Sequence, residues 1–81
     1  MARIVLTRAL RKFADGEAEF DLEVGTIQAL FRELSTRYPA IKRHLDEGVA
    51  VAIDGQIYQD ALFEPIPPNA EVHIIPQIAG G

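Results

Sequence analysis

An abrupt change in hydrophobic period at Gly25-Thr26 constrains the fold more than any other feature of the chain. Residues Glu19 to Val24 alternate between acidic and apolar side chains, which is the two-residue period of a half-buried strand. After Thr26, apolar residues recur at helical spacing, at Ile27, Leu30, Phe31, Leu34 and Tyr38. The sequence therefore predicts a strand that leads directly into an amphipathic helix, with Thr26 as its N-cap.

Three further short apolar runs are predicted to be strands. They are Ile4–Leu6, Val49–Ile53 and Val72–Ile75. Asp54-Gly55 predicts a tight hairpin, with Ile57-Tyr58 as a short returning strand. One helix and several strands predict a two-layer α+β domain, in which one main helix covers one face of a mixed four- to five-stranded sheet.

Two prolines set the expected ends of elements. Pro39 disfavours a helical conformation at Tyr38, so the helix should end there, with about one further turn between Ala40 and Leu45. Pro76 cannot donate a ladder hydrogen bond, so strand pairing should weaken at that point. We expect a domain over residues 1–76 and a flexible tail over residues 77–81.

Composition excludes several classes of function. The 81 residues contain no cysteine, which excludes a disulfide scaffold, a thiolate metal site and an iron–sulfur cluster. The net charge is −4 and no basic stripe is visible, so a nucleic-acid partner is not expected. No run has the length of a signal peptide or a membrane span, which predicts a cytoplasmic protein without a membrane partner. His44 and His73 lack ligand-like spacing, and no catalytic constellation is present, so neither a metal site nor a catalytic residue is expected.

Strand alternation predicts an uncovered apolar face on the sheet. The residues expected to point away from the helix are Val5, Ala50, Ala52, His73 and Ile75. One helix cannot cover both faces, and an exposed apolar patch usually marks a protein partner. We therefore predict a partner interface on this face, continued along the tail by Ile78 and Ala79.

The sequence ends at Ala79-Gly80-Gly81, directly after the last strand. Glycine has no side chain to pack and loses the most entropy on ordering, so a diglycine is a poor end for a fold. It can pass through a narrow tunnel and present a carboxylate. We expect the Gly81 carboxylate to be the reactive group, with Gly80 providing clearance.

Several segments together resemble a known family. The chain resembles the ubiquitin-like β-grasp sulfur carriers of the MoaD/ThiS type. The segments that carry this resemblance are Thr26 to Leu34 followed by Arg37-Tyr38-Pro39, Val51 to Gly55, and Ile74-Ile75-Pro76 before the terminal Gly80-Gly81. The likeness covers essentially the whole chain and is greatest to the small subunit of molybdopterin synthase. Gln77 stands where a second proline is usual.

The resemblance implies a carrier rather than an enzyme. A ubiquitin-activating-like enzyme would adenylate the Gly81 carboxylate with ATP, and sulfur from a persulfide or sulfide would replace AMP to give a thiocarboxylate. The large subunit of a synthase would then accept the sulfur carried covalently at Gly81. The resemblance favours molybdenum cofactor biosynthesis over other pathways. No cofactor would be bound by the chain itself.

Two alternatives remain at this point. The same activated Gly81 carboxylate would form an isopeptide if a lysine amine attacked it, which would make the chain a ubiquitin-like protein modifier. A third reading is a pure interaction module in which the diglycine is idle. The sulfur acceptor, whether a molybdopterin, thiamine, cysteine or another precursor, is left open by the sequence.

Overall fold

The computed structural model describes residues 1–76. The predictions for the tail, which include Ile78, Ala79, Gly80 and Gly81, lie outside the described residues. The elements follow in the order β1 (Ala2–Leu6), α1 (Arg8–Arg11), β2 (Glu19–Leu22), α2 (Ile27–Arg37), α3 (Pro39–Glu47), β3 (Val49–Ile53), β4 (Gln56–Tyr58) and β5 (Glu71–Pro76).

The five strands form one mixed sheet in the order β2-β1-β5-β3-β4. β1 and β5 are parallel, and the other three pairs are antiparallel. A parallel pair needs a long crossover, and here the crossover contains both longer helices. The predicted mixed sheet and α+β class are confirmed. The last strand of the described residues, β5, therefore lies in the centre of the sheet, between β1 and β3.

The helical layer is larger than the sequence predicted. α2 begins after Thr26, whose hydroxyl accepts a hydrogen bond from the Ala29 amide at 3.1 Å, and it ends at Arg37 as expected. Pro39 then occupies the first turn of α3, where a missing N–H costs nothing and the fixed φ favours a helix. α3 consequently continues for nine residues to Glu47 instead of the single turn expected.

The hydrophobic core lies between the helices and one face of the sheet. Its fully buried side chains come from every layer and include Ile4, Leu6, Leu30, Leu34, Ile41, Val72 and Ile74. Leu22 of β2 is also buried, whereas Glu19, Asp21 and Glu23 are exposed. The alternation predicted for β2 is therefore confirmed over its length.

The connection between β4 and β5 is tied to the start of α2. The Gln28 amide donates to the Leu62 carbonyl at 2.8 Å, and the Ile27 amide donates to the Glu64 carbonyl at 3.1 Å. The first amides of a helix have no intrahelical acceptor, so this loop completes the helix as well as connecting two strands. Its backbone between residues 62 and 64 is fixed as a result.

Candidate partner-binding face of the sheet

The sheet face opposite the helices carries one continuous row of residues across all five strands. Glu19, Val5, His73, Ala52 and Ile57 follow one another as successive Cα partners from β2 to β4. Each neighbour along a strand points to the other face. This row, together with Ile75 and Ala50, is called the outer face below.

Five of the predicted interface residues therefore share a surface. Val5 pairs with His73, His73 pairs with Ala52, and Ile75 pairs with Ala50. Val5, His73 and Ile75 are half-buried. The register brings these residues together as the alternation predicted, while their role in binding a partner stays a prediction.

The two alanines shape this surface differently from the large side chains. Ala50 and Ala52 are only 7% and 8% exposed, although they lie outside the core cluster to which Val49, Val51 and Ile53 belong. Both lie on β3, an inner strand of the sheet. The two alanines thus add little exposed apolar area. Because their side chains are small, another protein could approach the β3 backbone closely at these positions.

Ile57 belongs to the outer face and was missed by the sequence reasoning. It is 56% exposed and lies opposite Ala52. The signal was present in the hairpin: Asp54 and Gly55 both have positive φ, at 49° and 89°, as a two-residue type I′ turn requires. Such a turn fixes the register, so Ile57 must share the face of Ala52.

Charged residues border one side of the outer face. Arg3 lies between Asp21 and Glu71 in the register and forms an ion pair with Glu19. This pair is about half exposed on both sides, so it contributes little to folding stability. Arg3 is one cation among the three carboxylates of Glu19, Asp21 and Glu71. This border of the outer face is therefore acidic, which suits a basic partner.

The two histidines have different surroundings. His73 lies near the centre of the outer face, and its Nε2 is 3.1 Å from the Glu71 carboxylate. His44 lies on α3, where its side chain is only 31% exposed and its ring centroid lies 4.0 Å from that of Phe13. His44 therefore packs α3 against the segment after α1.

The described residues contain no arrangement typical of an active site or a metal centre. Within residues 1–76 no group of three His, Asp or Glu side chains converges as metal ligands do. No buried polar or charged residue occurs in the same range. None of the helices described is long and apolar enough to cross a membrane.

A curated protein shares clear sequence similarity with the chain. Tail tip assembly protein I of Escherichia phage lambda is 35% identical over 86 residues. The match covers 99% of this chain but only 37% of that protein, so the chain spans little more than a third of the length of this relative.

Solved structures show the same fold at low sequence identity. The small archaeal modifier protein SAMP1 from Methanosarcina acetivorans is 23% identical, with a TM-score of 0.81 and coverage of 99% of this chain and 95% of its own. A chain from the BexX/CysO complex of Amycolatopsis orientalis is 18% identical, with a TM-score of 0.79 and full coverage of both chains. These likenesses confirm the ubiquitin-like β-grasp fold.

The model of the ThiS family matches residues 4–81, which is nearly the whole chain. The match begins within β1, includes the other four described strands and extends through the diglycine. The chain therefore belongs to the ThiS family, with a ubiquitin-like β-grasp fold.

Proposed function

We propose that this chain is a sulfur carrier whose Gly81 carboxylate is adenylated and then converted to a thiocarboxylate. The observation that carries the proposal is the ThiS-family match, which extends from residue 4 through the final Gly80-Gly81. The outer face supports it, because β5 contributes His73 and Ile75 to that face and leads into the tail. A protein that holds this face would have the tail close by.

The proposed chemistry has two steps. The Gly81 carboxylate attacks the α-phosphorus of ATP, which forms an acyl adenylate and releases pyrophosphate. A sulfide then attacks the carbonyl carbon and expels AMP, so that a C–S bond replaces the C–O bond to AMP. The cleavage of ATP supplies the driving force, the activating enzyme catalyses the adenylation, and this chain is the substrate of both steps.

The proposed partners follow from this chemistry. An adenylating enzyme would hold the outer face while the tail enters its ATP site, and the large subunit of a synthase would later use the same face to receive the sulfur. A molybdopterin precursor is the acceptor we propose first, because the residue pattern is most similar to that type of carrier. ATP-dependent activation would take place in the cytoplasm.

The test is the intact mass of the protein isolated without a C-terminal tag from its own host. A species in which one oxygen is replaced by sulfur, and which a Gly81-deleted form lacks, would establish the carrier function. It would also establish that Gly81 is the last residue of the mature protein, as the proposal requires. Unmodified protein alone, found again after incubation with host extract, ATP and sulfide, would refute the proposal.

A second candidate is an interaction module in the assembly of a larger particle. It is favoured by the 35% identity to a phage tail tip assembly protein, which covers 99% of this chain. In that case the outer face would bind another structural protein, and Gly81 would have no chemical role. Retained assembly function after deletion of Gly80 and Gly81 would support this candidate over the carrier.

A further inference from the structure

A second apolar surface lies on the helical side of the sheet, away from the outer face. A groove of about 330 Å³ opens between α2, the end of α3, the β3–β4 hairpin and the loop after β4. Its apolar lining includes Ile27, Phe31, Val51, Tyr58 and Leu62. The volume falls at the lower end of the range for ligand-binding clefts, which is large enough to accept a side chain from another molecule.

Two exposed apolar side chains lie in the loop at this groove, and the first of them, Leu62, also lines it. Phe63 is 81% exposed and Leu62 is 42% exposed, and they are neighbours in the loop that follows β4. The carbonyls on either side, those of Leu62 and Glu64, accept hydrogen bonds from the first amides of α2. Phe63 is thus an aromatic side chain presented to solvent on a fixed backbone, and binding would not have to order that backbone.

The charge of the groove selects the kind of occupant. Among the described residues that line it, the only charged side chains are Asp46 and Asp60. Asp46 already forms an exposed surface pair with Lys42 at 2.9 Å. Asp60 has no cation within ion-pair distance in the described part of the chain. A cationic group on a ligand would find a free carboxylate beside the apolar wall.

We propose that this groove, with Phe63 beside it, is a second docking surface for a protein segment that carries a large apolar side chain next to an arginine or lysine. The apolar side chain would enter the groove and the cation would pair with Asp60. An aromatic anchor near a polar rim is the usual composition of an interface hot spot. A protein segment fits better than a small molecule, because Phe63, the chain neighbour of the groove-lining Leu62, offers exposed apolar area that does not line the groove.

The two docking surfaces lie on opposite sides of the β3–β4 hairpin. Ala52 and Ile57 belong to the outer face, whereas their chain neighbours Val51 and Tyr58 line the groove. Both surfaces can therefore be occupied at once. The groove does not depend on the carrier proposal, since neither its lining nor its charge involves the tail chemistry.

The experiment is an amide chemical-shift titration of the full chain with short, end-blocked peptides that place leucine or phenylalanine beside arginine. A matched set replaces the arginine with glutamate. We expect the basic set to shift the amides of Phe31, Val51 and Leu62, and the acidic set to leave them unchanged. Binding of the basic set should weaken as salt rises.

Three variants complete the test. Phe63→Ala should weaken binding of the basic peptides about tenfold, and Asp60→Asn should remove their advantage over the acidic set. Asparagine tolerates the positive φ of 53° at position 60, so this variant should keep the fold. Ile57→Ala, on the outer face, should leave binding unchanged. Equal affinity for both peptide sets, shifts confined to the outer face, or no binding at all would overturn the proposal.

Discussion

Pro76, at the end of β5, lies opposite Val49, the first residue of β3, as its Cα partner. The sequence predicts that strand pairing weakens at this proline. In the structure β5 nevertheless extends through Pro76, between β1 and β3. The chain thus leaves the described domain from the centre of the sheet, not from an edge. A partner on the outer face contacts the same strand that leads toward Gly81.

Deletion of Gly80 and Gly81 should separate folding from activation. The described core extends from Ala2 to Ile74, so we expect the free energy of unfolding to change by less than about 0.5 kcal/mol. Pyrophosphate release in the presence of ATP and the activating enzyme should be lost. Chemical denaturation and a pyrophosphate assay would measure the two effects.

The matched control for this deletion adds one alanine after Gly81. The extended chain keeps both glycines but moves the carboxylate, so it should also fail to be activated. Activation of either variant at the normal rate would contradict the proposed role of the Gly81 carboxylate. Conjugates of high mass that form only with the native end would instead favour the protein modifier.

Ile57→Ala should weaken docking on the outer face without affecting the fold. Ile57 is 56% exposed, so the cost in folding free energy should stay below about 0.5 kcal/mol. Ile57 is the most exposed apolar side chain of the outer face, and loss of such an apolar contact typically weakens a complex about tenfold. Calorimetric titration with the activating enzyme or with the synthase large subunit would measure this loss.

Arg43→Ala is the control for this substitution, because Arg43 lies on α3 on the other side of the sheet and its side chain is 83% exposed. It should leave the affinity unchanged. If both variants bind as tightly as the native chain, the outer face is not the docking surface. Equal weakening by both would point to a general charge or folding effect.

The sequence predicted those features that depend on local pattern. Alternation in Glu19 to Val24, the cap at Thr26 and the run Val49–Ile53 each involve a few adjacent residues, and all three are present in the structure. The outer face followed from the same alternation once strands were assigned. Ile57 was missed because its face depends on the register that the Asp54-Gly55 turn imposes on two strands.

The features that escaped prediction depend on tertiary contacts. Pro39 ends α2 by its effect on Tyr38, and it begins α3 through its own φ. The sequence analysis predicted the end of α2 but only one further turn after it. The loop that carries Leu62 and Phe63 has no periodic signal. Its conformation is set by amides at the start of α2, more than thirty residues away in sequence.

Thr26→Ala should destabilise the protein by about 1 kcal/mol. The Thr26 hydroxyl accepts a hydrogen bond from the Ala29 amide, and alanine would leave that amide without its acceptor. Thr36→Ala is the matched control: the Thr36 hydroxyl donates to the Arg32 carbonyl within the same helix and caps nothing. Thermal or urea denaturation would compare the variants, and equal stabilities would show that Thr26 does not act as a cap.

Gly55→Ala should destabilise the β3–β4 hairpin, whereas Gly25→Ala should not. Gly55 has a φ of 89°, where a Cβ costs roughly 1–2 kcal/mol, although no atom lies within 4 Å of the added carbon. Gly25 has equal space and lacks a positive φ, so alanine there should be neutral or stabilise by up to about 1 kcal/mol through the unfolded state. Urea denaturation would compare the free energies of unfolding of the two variants. Because the added Cβ clashes with nothing at either position, a difference between them would come from the backbone conformation at Gly55. Equal stability of the two variants would mean that the hairpin does not require a left-handed residue at position 55.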